Sequence, residues 1–550
     1  GQPVEAVTYF KKAAHQVDST RGYCETCGNV NPEQIFSILE ATVVDEYGHP
    51  TTKRKITPEQ WNEMYQSSVV PPRIETIRER PAQTLYLPTK WKQAWIFAMR
   101  DFKSKATNKA YLAINLLEAP LLAFFLSFMV RYPSASDGHS YSFRFNENIP
   151  AYLLMAIIVA LFMGLTVSAE EIIRDRKILK REAFLNLSWN SYLLSKVSIL
   201  FLLSAIQTFT FVWVGNSLLG VKGMTIDFWL VLFVCSCFAN VLGLMISSAF
   251  HSAVTVYVLI PLLLIPQMVL SGLLFNFNKL HRVFSHKIQV PMVADLMASR
   301  WAIEAMAVHQ FTRNEYERPF YEYDRQESQA DFKAAYLANE LRGMNQWIME
   351  NAHTANDSIK SYRVSRIRVL QNTLRNEPYR LGLESLDSLP DWSSGYTHKR
   401  GIQMNNYLTL YQDHYQKQFN HFGQLADSKR AFYIQNGVNL VEEKDQYYNE
   451  KLTDLVKNVT SKDKIIEYQE QLVQLSNPIF QSPAAQSVWD YRAPFMVPEK
   501  EFLGLTFSTY IFNIFVIVLM TLVLYVLLYF EVLRHVAEKL GRVAARLLKR

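Results

Sequence analysis

The chain has 550 residues, of which 49% are apolar and 19% are charged, and its 57 basic and 50 acidic side chains give a formal charge of +7. This length and composition exclude a disordered chain, a collagen-like chain and a small disulfide-stabilised scaffold. Several apolar runs reach the roughly 20 residues that cross a bilayer, which excludes a purely soluble enzyme. No disulfide framework is expected from the four cysteines, which are Cys24, Cys27, Cys235 and Cys237.

The first 90 residues form a polar segment that we interpret as a cytoplasmic linker. The segment starts at Gly1 without Met and without a basic-then-apolar leader, so we expect the numbering to begin inside a longer protein. Four of its side chains have the chemistry of zinc ligands: Cys24, Cys27, His15 and His49. A second closely spaced pair is missing, and incidental reduced thiols are therefore favoured over a zinc site.

Residues 91–107 begin with WKQAWIFAMRDFKSKA, in which aromatic and aliphatic residues recur at helical spacing with Lys and Arg between them. That pattern predicts an amphipathic helix lying at a membrane surface. Near-continuous apolar runs follow, five of them within 108–275 and the last within 501–530. They predict six membrane-spanning helices at about 110–130, 150–169, 192–216, 227–250, 254–275 and 503–530. A tight turn at His251-Ser252 must join the fourth and fifth.

The placement of basic residues predicts the orientation of these spans. One side carries Arg100, Lys103, Lys105, Lys109, Arg174, Arg176, Lys177, Lys180 and Arg181, together with the basic tail. The short loops of the opposite side offer only Arg131, Arg144 and Lys222. We therefore expect both termini in the cytoplasm and the region 276–500 outside.

The cytoplasmic tail, 531–550, is predicted to be a basic amphipathic helix. Its apolar face comprises Leu533, Val536, Leu540, Val543 and Leu547. An interfacial anchor beside anionic lipid is favoured over a regulatory helix for a protein partner.

The loop between the second and third spans, 170–190, contains two acid-base pairs. Glu170 and Glu171 end an apolar run, after which Asp175-Arg176 and Arg181-Glu182 follow. On a short helix across the membrane face, such pairs can bind a partner surface or one another. On charge alone, an ordinary solvated loop is the favoured interpretation.

This pairing resembles the coupling helix of G-subfamily ABC transporters, the White and pleiotropic-drug-resistance type. Three further stretches are similar to segments of that family and occur in the same order: LSGLLFNF at 270–277, VPMVADLMASRWAIEAMAVHQF at 290–311, and GQPVEAVTYF at 1–10 with Asn31-Pro32. The similar stretches frame about 1–325 and 500–550. The resemblance implies a mainly α membrane protein with six spans and a large, mostly helical insertion between the fifth and sixth.

The resemblance also implies a half-transporter that forms a homodimer and works with a nucleotide-binding domain. This chain has no G-x-x-x-x-G-K-[S/T] loop and no LSGGQ-like sequence, so ATP and Mg²⁺ would bind on that other domain, and we assign no catalytic residue and no metal site here. The residues expected to couple the spans to the ATPase domain are Glu171, Asp175, Arg176, Arg181 and Glu182.

By the same resemblance, Met268 and Leu270 would face the substrate pathway and Phe162 and Met163 would approach it from the second span. Leu273 and Leu274 would form its valve. Kinks that let helices separate are expected at Pro261, Pro266 and Gly272. From the residues alone, lipid contact or helix packing is the favoured interpretation for all six pathway and valve residues.

An acidic residue, Glu118, lies inside the first predicted span. A carboxylate at membrane depth is a functional hypothesis, because its burial in lipid is unfavourable. Alternatively, Pro120 opens the helix and Glu118 caps the freed backbone amides. The two interpretations are weighted equally.

The outer region divides into a membrane-proximal segment, 276–325, and a helical domain, 326–500, with long helices expected near 328–375 and 403–475. It contains no cysteine, which favours a bacterial inner-membrane protein with a periplasmic domain.

The leading hypothesis is ATP-driven export of an amphipathic or lipid-like compound. The alternatives are a polysaccharide exporter and a non-transporting envelope protein that moves an external protein partner. Membrane lipids and a nucleotide-binding domain are expected partners, and nucleic acid is not.

Overall fold

The computed structural model describes residues 3–20, 22–23, 30–68, 88–132, 141–185, 187–281, 288–354, 356–375, 377–379, 392, 396–459, 461–482 and 490–547. The chain divides into two compact units, Gly1–Tyr86 and Leu87–Arg550.

The described residues of the first unit form three helices and a β-hairpin: α1 (Pro3–Ala13), α2 (Glu33–Leu39), β1 (Thr42–Val44), β2 (Pro50–Arg54) and α3 (Pro58–Ser68). The strands pair antiparallel, with Thr42 opposite Arg54. Cys24 and Cys27 of the zinc hypothesis lie outside the described residues. Among the residues that are described, no group of three or more His, Cys, Asp or Glu side chains could hold a metal ion.

The second unit begins with the amphipathic helix and the membrane helices. These are α4 (Lys90–Thr107), α5 (Lys109–Val130), α6 (Ile149–Ser168), α7 (Glu171–Glu182), α8 (Trp189–Leu219), α9 (Thr225–Ala249) and α10 (Ala253–Val269). Near the end of the chain follow α19 (Thr509–Tyr529) and α20 (Val532–Leu547). Within the described ranges, five helices are long and apolar enough to cross a membrane, namely α5, α6, α8, α9 and α19.

Small residues let the membrane helices α6 and α9 approach closely. A Cβ atom on Gly164 of α6 would meet the backbone oxygen of Ser236, and one on Gly243 of α9 would meet the Oγ of Ser168. Close approach of this kind increases van der Waals packing between helices in lipid. Cys235 and Cys237 are free thiols buried in α9.

Two predicted spans have different ends in the structure. The fifth, expected to reach residue 275, ends at Val269 because the chain turns at Gly272, whose φ is +85°. The sixth was expected from 503 but begins at Thr509, since a hairpin of β5 (Glu499–Phe502) and β6 (Leu505–Ser508) occupies the preceding residues. Leu503 and Gly504 both have positive φ, as a two-residue hairpin turn requires.

The region 276–500, here called the insertion, is largely helical. Its helices are α11 (Met292–Asp295), α12 (Ala298–Arg313), α13 (Tyr321–Asp331), α14 (Ala338–Glu350), α15 (Asp357–Arg375), α16 (His398–Gln435), α17 (Leu440–Tyr447) and α18 (Glu450–Val456). A π-helical turn, Phe332–Leu337, joins α13 to α14. The hydrophobic core of the helical part is formed by residues of α13 to α16, including Leu341, Leu370, Tyr407 and Tyr411.

The long helix predicted over 403–475 is wrong in its second half. The helix α16 ends at Gln435, just before Gly437, which has a φ of +83°. Strands β3 (Ile465–Tyr468) and β4 (Gln471–Gln474) form an antiparallel hairpin farther along. The two turn residues of this hairpin, Gln469 and Glu470, both have positive φ, and the hairpin geometry outweighs the helical pattern there.

The insertion is bonded to the loops that join the membrane helices. Asn449 donates from Nδ2 to the backbone oxygens of Phe143 (2.8 Å) and Asn146 (2.9 Å). Arg144 lies 2.8 Å from Glu450 and 3.0 Å from Asp445. These contacts hold α17 and α18 against one end of the spans.

A buried carboxyl group, Glu317, lies in the turn between α12 and α13. Its backbone N–H donates to Asn314 Oδ1 at 2.8 Å, and the residue is 5% exposed. Burial, together with the nearby Asp324 carboxylate, raises the pKa of Glu317 to about 7, although nearby cations including Lys457 oppose this shift. The folded state therefore holds this proton more tightly than the unfolded chain, whose Glu pKa is about 4.3.

Stability should fall as the pH rises from about 4 to 7, because the unfolded chain releases the Glu317 proton in that range while the folded chain keeps it, so that rising pH favours the unfolded state. We expect Glu317→Gln to stabilise the protein by on the order of 1–3 kcal/mol at pH 8 and to have little effect at pH 4. Melting temperatures of the purified chain at the two pH values measure this. The exposed Glu467→Gln is the control, and an equal effect of Glu317→Gln at both pH values would contradict the prediction.

Candidate functional site

The helix before the first span, α4, has an exposed apolar face and a buried charged face. Trp91 and Trp95 are 79% and 67% exposed, whereas Asp101 and Lys105 are buried. The buried face packs against α8. A surface helix of a soluble protein buries its apolar face and exposes its charged face, so α4 has the opposite arrangement. This arrangement is expected where the exposed face contacts lipid.

Charged side chains from three helices form a buried group, here called the α7 cluster: Asp101 and Lys105 of α4, Glu171 and Asp175 of α7, and Lys196 of α8. Lys196 Nζ lies 2.6 Å from Asp101 Oδ1 and 2.9 Å from Glu171 Oε2. It also lies 2.8 Å from Asp175 Oδ2. Lys105 Nζ lies 2.5 Å from Asp101 Oδ2 and 2.8 Å from Glu171 Oε2. Each ammonium group therefore bridges separate carboxylates.

The charges of the α7 cluster balance once Arg174 is included. Arg174 Nη2 lies 3.0 Å from Glu171 Oε1, which gives three basic groups for three carboxylates. Burial alone would raise the pKa of Asp101, but the ammonium groups of Lys196 and Lys105 outweigh it and lower that pKa. A neutral, multiply bonded group of this kind can remain buried, whereas an unpaired charge cannot.

The start of α7 is fixed to the end of α9. Ser247 Oγ accepts hydrogen bonds from the backbone N–H groups of Ile172 (3.1 Å) and Ile173 (3.2 Å). Arg176 Nη2 donates to the backbone oxygens of Ser247 (3.1 Å) and Ser248 (2.7 Å). A side chain of α9 thus accepts from the free N–H groups at the start of α7, and a side chain of α7 donates to the free carbonyls at the end of α9.

The predicted coupling residues have different surroundings. Glu171 and Asp175 lie in the α7 cluster, and Arg176 binds α9. Glu182 Oε1 lies 2.7 Å from Arg100 Nη1 of α4. Arg181 is exposed and forms no ion pair with any residue that the structure describes. Most of these side chains therefore bind neighbouring elements of the same chain, and Arg181 is the one directed to the surface.

The predicted pathway residues are not brought together around one space. Met163 is buried in the core of the membrane helices, whereas Phe162 is exposed on the surface of α6. Met268 and Leu270 are partly buried at the end of α10. The two predicted valve residues, Leu273 and Leu274, line a cavity that does not include the other four.

This cavity has a volume of about 660 Å³ and lies between the membrane helices and the insertion. Its apolar lining comes from the start of α6 and the segment after α10, including Leu154, Met155, Leu273 and Phe275. Polar side chains line it from the insertion and from the ends of the spans, including Glu147, Lys279, Lys451, Asp454 and Gln474. A cavity with one apolar and one polar side suits an amphipathic molecule.

The helix α5 continues without interruption through Pro120, two residues after Glu118. No opening of the helix accompanies the proline. Among the described residues, the half-buried Glu118 side chain forms no hydrogen bond or ion pair. Its role as a membrane-depth carboxylate stays a prediction.

Sequence reasoning missed a second buried group, here called the α12 cluster: Arg300 and Glu304 of α12, Lys500 of β5 and Asn513 of α19. Lys500 Nζ lies 2.6 Å from Glu304 Oε2. Asn513 Nδ2 donates to the same oxygen at 2.8 Å, and its Oδ1 accepts from Lys500 at 2.9 Å. Arg300 Nη1 lies 3.4 Å from Glu304 Oε2. The cluster joins the insertion to the last span.

The electrostatics of the α12 cluster follow from its complete burial. Burial alone would raise the pKa of Glu304, but Arg300 and Lys500 outweigh it and lower that pKa. Burial lowers the pKa of Lys500 to about 8, an effect that the Glu304 carboxylate partly opposes. The sequence offers one signal for this site, an Arg and a Glu four residues apart in the otherwise apolar stretch of α12.

Comparison with known proteins identifies one domain. Residues 92–311, which run from the first turn of α4 to the last turn of α12, match the ABC-2 type transporter family. No curated protein matches the chain. The matched region and the five apolar helices show a multi-pass membrane protein that carries the membrane component of a transporter. Membrane domains of this type typically pair with a nucleotide-binding domain.

Proposed function

We propose that this ABC-2 type membrane domain is half of an ATP-driven exporter of an amphipathic or lipid-like compound, in the manner of the G-subfamily. Two copies form the pathway, and a nucleotide-binding domain on the same polypeptide or on a separate one binds ATP and Mg²⁺. Both termini are cytoplasmic, and the insertion faces the periplasm of a bacterial envelope.

The α7 cluster carries this proposal. Removing one partner from a buried ionic group leaves an unpaired charge, which is unfavourable by several kcal/mol. The helices α4, α7 and α8 therefore resist separation, and a push on α7 moves the start of the span α8 with it. Such a unit can transmit a motion of the ATPase domain to the membrane helices.

The distribution of cations supports the proposed orientation. Arg100, Lys103 and Arg181 lie at the end of the spans that carries α7. At the opposite end, Arg144 is paired with acidic residues of the insertion, and Lys222 Nζ donates to Gln446 Oε1 at 2.9 Å. Most basic side chains that are not bound by the insertion therefore lie at the end of the spans that carries α7. This excess of basic residues is expected for the cytoplasmic face.

In this proposal the shorter helix α10 is also a span, the fifth in chain order, and it brings the total to six. Its 17 residues give a length of about 26 Å, a little less than the roughly 30 Å of a bilayer core. The segment that follows, with Leu273 and Leu274, extends the apolar surface toward the cavity. Pro261 and Pro266 lie inside the helix and remove two backbone donors, which makes it the most deformable of the spans.

The cavity beside Leu273 and Leu274 supports the substrate class. Its apolar lining suits a hydrocarbon portion, and the polar side chains of the insertion suit a polar head group. An exporter of extended sugar chains would instead favour aromatic rings and hydroxyl groups along its pathway.

The exposed Arg181 provides the test of coupling. We expect Arg181→Glu to lower transport per ATP hydrolysed by on the order of tenfold, since a reversed charge at a domain contact is unfavourable by more than 1 kcal/mol. The assay uses the chain together with its nucleotide-binding domain in vesicles, with uptake of a fluorescent phospholipid analogue and phosphate release measured in parallel. Lys417→Glu, an equal charge change on α16, is the control.

Unchanged transport and unchanged hydrolysis in Arg181→Glu would exclude the proposed coupling contact. Hydrolysis that continues while transport is lost would support it. Equal losses in Arg181→Glu and Lys417→Glu would also count against it, because the effect would then be one of overall charge.

A second function, a lever that moves an external partner, is favoured by one observation. The insertion is joined to the spans by several contacts, including the α12 cluster and the bonds of Asn449 and Arg144. Motion of the spans would therefore reach the insertion. In the same vesicles, steady hydrolysis without movement of any amphipathic probe would favour this lever over the exporter.

A further inference from the structure

The tail helix α20 begins directly after the last span. The span α19 ends at Tyr529, and α20 starts at Val532, after a turn in which Glu531 has a φ of +49°. Two residues cannot carry the chain far from the membrane. The first turns of α20 therefore lie at the surface of the bilayer that α19 crosses.

The first turn of α20 packs on the protein. Leu533 contacts the core of the membrane helices. Arg534 lies 2.9 Å from Glu531 and 3.2 Å from Glu538, so its charge is neutralised locally. Leu533 and Arg534 of this first turn thus have their partners within the chain.

Farther along α20, its apolar face is uncovered. Val532, Val536 and Leu540 are four residues apart and so lie along one stripe of the helix. Val536 is 45% exposed and Leu540 is 64% exposed. Exposure of such a stripe to water is unfavourable in free energy. The bilayer that α19 crosses is the adjacent apolar medium that can cover it.

Basic side chains border this stripe. Lys539 lies next to it on the helix, Arg542 follows one turn later on the polar face, and no acidic residue follows Glu538 in the sequence. Within the described part of the chain, Lys539 forms no ion pair. Val543 and Leu547 of the predicted apolar face lie outside the residues whose side chains are described. The visible charge pattern is complementary to a negatively charged surface.

We propose that α20 binds anionic phospholipid in the leaflet where the last span ends, with Val536 and Leu540 in the acyl region and Lys539 and Arg542 at the phosphates. Tyr525 of α19 donates a hydrogen bond to Asn190 of α8 at 2.7 Å, which places α20 at the same end of the spans as α4. The exposed Trp91 and Trp95 of α4 meet lipid at that end by the same physical argument.

The depth of a spin label at Leu540→Cys tests this binding. The full chain, with Cys24 and Cys27 replaced by Ser, is reconstituted into phosphatidylcholine vesicles with or without added phosphatidylglycerol. We expect the label to be accessible to oxygen and protected from an aqueous nickel chelate when phosphatidylglycerol is present. The control label at Ile402→Cys, at the start of α16, should stay accessible to the chelate in both lipids.

The double variant Lys539→Gln/Arg542→Gln tests the charges. In phosphatidylglycerol vesicles we expect the ratio of lipid-bound to detached helix to fall by about thirtyfold, from the usual contribution of two basic residues near an anionic surface. Lys417→Gln/Lys462→Gln removes two charges from the insertion and should leave the ratio unchanged.

Two results would overturn the proposal. One is a label at Leu540→Cys that is open to the chelate in both lipids. The other is a label that is protected equally in both lipids and in the double variant, which would mean that a protein surface such as the ATPase domain covers the stripe. Neither result depends on transport, so this proposal can fail while the exporter function stands.

Discussion

Replacing Lys196 by methionine is expected to lower the free energy of unfolding by about 3–5 kcal/mol, the usual effect of breaking a buried ionic group. Lys196 is 2% exposed and is in contact with three carboxylates, those of Asp101, Glu171 and Asp175. Its loss leaves three buried acids with only Lys105 and Arg174 as basic partners. Thermal unfolding of the purified chain in detergent micelles measures the effect.

The matched control for Lys196→Met is Lys103→Met, which removes an exposed ammonium group from α4. Surface changes of this kind usually alter stability by no more than about 0.5 kcal/mol. Adding Asp175→Asn to Lys196→Met should restore part of the lost stability, because it removes the excess negative charge. Similar melting temperatures for Lys196→Met and Lys103→Met would show that the α7 cluster does not join the three helices.

The second large effect is expected at Glu304, which is fully buried in the α12 cluster. Glu304→Gln keeps the shape of the side chain but removes the carboxylate that Lys500 contacts and leaves Arg300 with Asp295, 3.6 Å away, as its acidic partner. We expect a loss of about 3–5 kcal/mol in unfolding free energy. Glu340→Gln, on the exposed side of α14, is the control for this substitution.

A double-mutant cycle separates this pairing from general damage. Lys500→Met alone should also destabilise, because Glu304 then loses its ammonium partner and keeps only the more distant Arg300 as a cation, beside its hydrogen bonds from Asn513 and the Met496 backbone N–H. Glu304→Gln/Lys500→Met should lose clearly less stability than the sum of the two single variants, since neither charge is left alone. Simple addition of the two losses would show that the residues do not act as a pair.

The positions of the membrane helices follow from the sequence because they depend on local composition. A run of about 20 apolar residues must form a helix in lipid, where every backbone group has to be bonded within its own segment. The helices α5, α6, α8 and α9 accordingly lie close to the predicted spans. The amphipathic helix α4 was equally predictable from its spacing of aromatic residues.

The ends of two spans were not predictable in this way. Apolar residues continue past Val269 and occur before Thr509, so composition places them inside a span. Positive φ at Gly272, Leu503 and Gly504 turns the chain instead. The rings of Phe277 and Phe495 pack beside the turn at Gly272, whereas the turn at Leu503 and Gly504 is set by the pairing of β5 with β6.

The sequence by itself determined which segments are membrane helices and which loop carries the charged pairs, because both depend on neighbours in the chain. Only the tertiary structure decided what those charges bind. Lys196 meets Asp101 across 95 positions, and Lys500 meets Glu304 across 196. Residue spacing along the chain cannot predict pairs that are so far apart in the sequence. Burial nevertheless requires each pair, because a charge removed from water is unfavourable unless an opposite charge lies beside it.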